Sequence, residues 1–399
     1  MGAPVNAILA ADRDHHHQHQ PTFFPSRPGL RERWEAAGDE HRSDMARFNA
    51  ALRSGYFLLA ARAHGRATGP MGGYDAARTV EPPGHPTRTS VVCRRSRAAG
   101  GRTGAERGIV GRVLAPGQRA ELYVAGVDTK PQLVYASTTM LFEAPNWSAD
   151  GRYLVVNADG GLYRIPVEGG EPEPIELGDV PPINNDHVLA PDGTAVYVSA
   201  QDGHLYRVAA GVATRLTDDQ APARAFRYYL HGISADGATL AFVGTERVGA
   251  DAGALRRLFT RPAGPGTDTL LGSGFSPADG PEFAPDGGIY FNSERGADVP
   301  GHAQLYRVGP DGRQPVRLTD DERVNWFPHP SPDGTHLAYV SFPPGTLGHP
   351  ENVDVLVRLC RPDGTGVRDV AAVFGGQGTM NVNSWSPDST RFAFVAYPT

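Results

Sequence analysis

The chain has 399 residues and a formal net charge of −6, enough for two ordinary domains or one large repeat domain. It has two cysteines, Cys93 and Cys360, and no run of 18 apolar residues, which excludes a disulfide framework, a Cys-x-x-Cys zinc pair and a membrane-spanning helix. Residues 1–110 carry 16 Arg against 10 Asp and Glu while the remainder is acidic, and an acidic body speaks against nucleic acid as a partner.

Residues 1–108 show no repeat and are rich in Arg, Gly, Ala and Pro, as in Arg94-Arg95-Ser96-Arg97-Ala98-Ala99-Gly100-Gly101-Arg102. Such a composition buries too little apolar surface to offset ordering entropy, so this segment is expected to be largely disordered, with room for a short helix near Arg31–Ala61. The tract His15-His16-His17-Gln18-His19 reads as part of that disorder rather than as a metal site. A start codon further downstream would also account for the segment. No basic stretch leads into a long apolar core at the N-terminus, so the chain reads as cytoplasmic.

From about residue 109 one phrase recurs: an apolar residue, one or two small residues, then Asp-Gly or a variant. Its copies are Asn146–Gly151, His187–Gly193, His231–Gly237, Glu282–Gly287, His329–Gly334 and Asn383–Ser389. Their aspartates, at 150, 192, 236, 286, 333 and 388, are 42, 44, 50, 47 and 55 residues apart. That period matches four strands per blade of a propeller. In the first unit the turn at Asp150-Gly151 is followed by Tyr153–Asn157, Gly161–Val167 and Glu173–Leu177, each alternating as a half-buried strand does. The third-strand phrase returns as Leu205-Tyr206-Arg207-Val208 and Leu305-Tyr306-Arg307-Val308. Asp-Gly suits a tight turn because glycine accepts positive φ without strain.

The two ends explain each other. The last copy supplies only a hairpin, about 383–397, while the first strands, about 119–137, resemble a third and fourth strand lacking a first pair. Pairing them completes a blade, closes the ring and removes exposed sheet edges. The expectation is an all-β, six-bladed propeller over 109–399.

Inner strands line the channel of a propeller, so the residue before each apolar anchor points to a site: Asn146, His187, His231, Glu282, His329 and Asn383. Three imidazoles, a carboxylate and two amides suit either a sugar or one divalent metal such as Mn, Fe, Ni or Zn, with His187, His231 and His329 as its ligands and Gln377 as a further one. Asn146, Glu282 and His329 lie four residues before the motif aspartate, the other three lie five before. Adjacent positions of a strand face opposite sides, so either bulges shift the register or only one set faces the channel. Arg295 could pair a substrate carboxylate or form a surface salt bridge. The insertion Pro343–Asn352 carries His349 and Glu351, and Gly375-Gly376-Gln377-Gly378 lacks the Lys-Ser/Thr of a phosphate loop.

These repeats resemble those of TolB-like propellers, on the strength of residues 190–193, 284–287, 330–334 and 386–388. Family members also share phrases like Trp326-Phe327-Pro328-His329-Pro330 and Phe374-Gly375-Gly376-Gln377-Gly378-Thr379. True TolB has an export signal and a separate α/β domain, and neither is read here. Phe327-Pro328-His329-Pro330-Ser331 is more weakly similar to a stretch of oligogalacturonate lyases, metal-dependent propellers of seven blades. The resemblance implies a propeller binding a small or oligomeric carbohydrate at its channel mouth. The alternatives are a divalent-metal-dependent lyase acting on uronate-like sugars and a protein-interaction scaffold. A monomer is expected, with a small-molecule or oligosaccharide ligand, room for a protein partner, and no membrane or nucleic acid.

Overall fold

The structure, a computed structural model, describes residues 112–399 except 221–224, 248–253, 273–276 and 311, together with three short strands nearer the N-terminus. Those three, Ala7–Ala10, Pro70–Met71 and Ser90–Cys93, form one antiparallel sheet with Ser90–Cys93 in the middle. They belong to a unit, Met1–Arg107, separate from Gly108–Thr399. The helix expected near Arg31–Ala61 and the His15–His19 tract lie outside the described residues.

The second unit is built of six antiparallel sheets and, among the described residues, contains no helix. Five sheets have four strands in sequence order. They begin with the inner strands Glu143–Trp147, Ile183–Leu189, Arg227–Ile233, Ala278–Phe283 and Val324–Pro330. In the sixth, Arg391–Ala396 pairs with Ala120–Gly126, which pairs with Gln132–Ser137. Its innermost position is held by a single bridge, Trp385 to Phe392, extended by backbone bonds from Ser386 to Arg391 and from Ala393 to Ser384. The ring therefore closes as its two ends predict, with six blades rather than seven.

The core lies in the six seams between blades. Arg391–Ala396 serves two of them because strand side chains alternate. Phe392 and Phe394 pack toward the fifth blade with Trp326, Val340 and Val357, while Ala393 and Val395 pack toward the first with Leu122, Leu154 and Val156. The last strand thus seals the ring through side chains as well as hydrogen bonds.

The motif turns repeat one chemistry. In Ser148–Tyr153, Asp150 Oδ1 accepts bonds from the Ser148 hydroxyl and the Arg152 amide, at 2.7 and 3.1 Å. Asp236, Asp333 and Asp388 accept the same pair of bonds in their own turns. Each aspartate ties its turn to itself, as Asx turns do. Accepting these bonds favours the ionised form, and all six motif carboxyls are held below the usual range, Asp150 at about 2.

Candidate functional site

Bulges decide what the inner strands present. All five four-stranded blades show a register shift in this strand: Glu143/Asn146, Ile183/His187, Leu230/Gly232, Asp279/Glu282 and Trp326/His329. Three follow one recipe, a left-handed residue and then proline. Ala144, Gly280 and Phe327 have φ of 50°, 58° and 56°, and Pro145, Pro281 and Pro328 follow them. The polar residue after each proline is Asn146, Glu282 or His329. The shift that sequence spacing leaves ambiguous is thus resolved by an inserted residue.

Because the inner strands run the same way around the ring, their first and last residues define two mouths. At the exit ends a cavity of about 330 Å³ is lined by Asn146, Glu282 and Asn383 and by Trp147, Phe283 and Trp385. Asn383 Nδ2 donates to Glu282 Oε1 at 3.1 Å. The other carboxylate oxygen is 3.5 Å from His329 Nδ1. His329 Nε2 faces the Met380 carbonyl at 3.1 Å and the His329 carbonyl accepts from the Trp385 indole at 2.9 Å.

At the entry ends a second cavity, about 340 Å³, is lined by Asp186, Arg227, Tyr229, His231, Arg256, Asp279, Phe327, His349, Gln377 and Asn381. His231 is clamped between two acceptors, the Asn381 carbonyl at 3.1 Å from Nδ1 and Asp279 Oδ1 at 3.3 Å from Nε2. Two acceptors require two ring protons. Despite burial, the carboxylates of Asp186 and Asp279 hold the imidazole up at about 9. Asp279 is correspondingly held at about 2 although it too is buried. Its other oxygen lies 3.6 Å from Arg256, which also reaches Glu294 at 3.2 Å. Burial pushes the Asp186 carboxyl up to about 6, with His231 opposing. Phe327 stacks on His231 with centroids 5.8 Å apart and meets His349 edge-on. A bulky residue at positive φ is uncommon and costs about 1–3 kcal/mol, and here it places an aromatic face on the site.

Gln377 Oε1 bonds His349 Nδ1. The Gln377 carbonyl accepts from Arg112 at 2.6 Å, and the same guanidinium reaches Glu143 at 3.0 Å and stacks over Tyr397 at 3.9 Å. Arg112, the first described residue of the propeller unit, thereby fastens the loop that carries Gln377.

The eight residues singled out by sequence therefore fall in four places. Asn146, Glu282 and Asn383 share the exit mouth, and His329 supports them from beneath. His231 and Gln377 share the entry mouth. His187 is fully buried, neither ring nitrogen has a hydrogen-bond partner, and burial pushes it down to about 4. Arg295 sits exposed on the loop between Ile289–Ser293 and Gln304–Val308 and lines neither mouth. The metal set His187, His231 and His329 is not assembled, because one ring is sealed in and the other two are engaged toward different mouths. Among the described residues no group of three or more His, Cys, Asp or Glu side chains is placed to hold a metal ion. Sequence reading missed Asp186 and Asp279. Asp186 directly precedes an inner-strand histidine, and Asp279 stands three residues ahead of Glu282, across its bulge.

No family model matches the chain. An uncharacterized protein of Agrobacterium fabrum is 37% identical over 286 residues, covering 70% of this chain and 92% of that protein. A propeller from Agrobacterium tumefaciens, solved under the TolB name, is 35% identical with a TM-score of 0.63, covering 71% of this chain and 99% of that one. A stretch of 93 residues, 23% of the chain, is 48% identical to a protein of Leptothrix cholodnii named as an NADH dehydrogenase/NAD(P)H nitroreductase, and spans 46% of it. Six closed blades and identity along nearly the whole of the two Agrobacterium relatives agree: the chain belongs to the TolB-like β-propeller family.

Proposed function

We propose that the protein binds a small or oligomeric carbohydrate at the entry mouth. The supporting observation is the mixture lining that cavity: oriented donors and acceptors on buried His231, Asp279 and Asn381 and on half-buried Gln377, beside the rings of Tyr229 and Phe327. Hydroxyl-rich rings are recognised by such a combination of a few placed polar groups and apolar faces. Calorimetric titration with a panel of neutral and uronic oligosaccharides tests this. One or more should bind, and Gln377→Ala should weaken that binding about tenfold through one lost hydrogen bond. Absence of binding across the panel, or full affinity in the variant, would refute it.

A second reading is a lyase, favoured by the Asp186 carboxyl held at about 6 beside the charged ring of His231. A carboxylate near its working pH beside a cation is suited to removing a proton α to a uronate carboxylate. Ultraviolet absorbance of an unsaturated product reports it, and Asp186→Asn should abolish the signal.

The nitroreductase likeness covers 93 residues of the chain. We infer that it resides in residues 1–107, since the propeller relative accounts for 286 residues of the chain. The segment expected to be low-complexity would then derive from an oxidoreductase, in less than half its length. Aligning the two sequences tests this: shared residues falling inside 108–399 would refute it.

A further inference from the structure

The exit mouth has an electrostatic character that the proposed carbohydrate site does not use. Ala149, Pro191, Ala235, Pro285, Pro332 and Pro387 line it, and each directly precedes a motif aspartate. The repeat therefore builds a collar of small apolar residues and sets six exposed carboxylates around it. Bonds within the turns keep those carboxylates ionised. Asp150 and Asp286 have arginine partners, Arg152 and Arg307. Among the described residues no ion pair engages the other four. One sign of charge around a cleft with apolar walls focuses potential into it.

Among the described residues Glu282 is the only ionisable side chain lining the cavity. It is 4% exposed, one oxygen accepts only the Asn383 amide, and the other has no hydrogen-bond donor, with His329 Nδ1 at 3.5 Å. A buried carboxylate short of donors at the base of an apolar, acid-rimmed funnel calls for a cation that brings its own N–H groups. No third metal-ligating side chain stands beside it. The methylenes of an alkylammonium suit the alanine and proline collar, and Trp147 and Trp385 line the same mouth.

We propose that the exit mouth binds an aliphatic di- or polyamine, one ammonium group pairing with Glu282 and the rest of the chain running out through the carboxylate rim. This site is independent of the carbohydrate reading.

The experiment is calorimetric titration of the full chain with spermidine at low salt, with tryptophan fluorescence as a second readout. Binding is expected that falls steeply as salt is raised. Glu282→Gln should weaken it about tenfold to a hundredfold. Glu173→Gln, exposed on the outermost strand of the first blade and lining neither mouth, should leave it unchanged. No heat up to millimolar spermidine, or undiminished binding by Glu282→Gln, overturns the proposal. Binding of a lysine-rich peptide but not of spermidine overturns it in favour of a protein partner. Should thermal melting show that Glu282→Gln is unfolded, Ala235→Phe decides instead. Its ring fills the collar from an exposed position, and undiminished binding there overturns the proposal.

Discussion

The clamp on His231 makes stability depend on alkaline pH. In the folded chain the imidazole is held at about 9 against an ordinary value of 6.5. A base raised on folding contributes stability that is fully present below its unfolded pKa and disappears as pH rises through the folded one. Linkage over these two values gives a contribution of about 2–3 kcal/mol at pH 7 and well under about 1 kcal/mol at pH 9, so about 2 kcal/mol is lost across that interval. The depressed Asp279 carboxyl reports the same contact from its other side, and its stabilisation is not added again. Other buried groups of the site titrate elsewhere: Asp186 near 6, His187 near 4, and His349 below its ordinary value through burial. Urea unfolding at half-unit steps from pH 6 to 10 measures the profile. The expected result is a fall of about 2 kcal/mol between pH 7 and 9, and its absence in His231→Gln, which should be less stable at every pH because Asp279 loses its partner. A flat profile in the parent chain, or the same fall in His231→Gln, would refute the doubly protonated clamp.

Four further outcomes follow from the packing. Gly378→Ala places a methyl 2.4 Å from Glu143 Oε1 and 2.6 Å from the Tyr397 hydroxyl at a φ of +87°. It should destabilise by about 2–4 kcal/mol, read as a lowered thermal midpoint. Phe394→Ala removes a ring that is 1% exposed in the closing strand and should cost about 3–5 kcal/mol. Ending the chain before Arg391 should do more, leaving Ala120–Gly126 as an open edge and shifting the protein to aggregates in light scattering. The buried Cys360 thiol is pushed up to about 12 by burial, so alkylation at pH 8 should label its peptide only after denaturation.

Repetition made the architecture legible in the chain. Six copies of a turn with glycine or its substitute after aspartate, at blade-sized intervals, admit few arrangements, because each copy must bury both faces of a sheet against its neighbours. The incomplete first and last units implied closure for the same reason, since unpaired edges are costly. That reasoning also located Asn146, Glu282, His329 and Asn383 near the axis. It could not assign faces. Strand alternation is strictly local, and one inserted residue at Ala144, Gly280 or Phe327 reverses everything after it. Only the folded ring decides that Glu282 and His231, one position apart in the repeat, face opposite mouths. Only there does Asp279, three residues from Glu282 in sequence, become the partner of a histidine 48 positions earlier. Arg295 shows the converse limit: its distance from the axis is set by where the hairpin ends. Periodicity encodes which strands adjoin, whereas the chemistry of the channel arises from contacts between blades, and those exist only once the circle is closed.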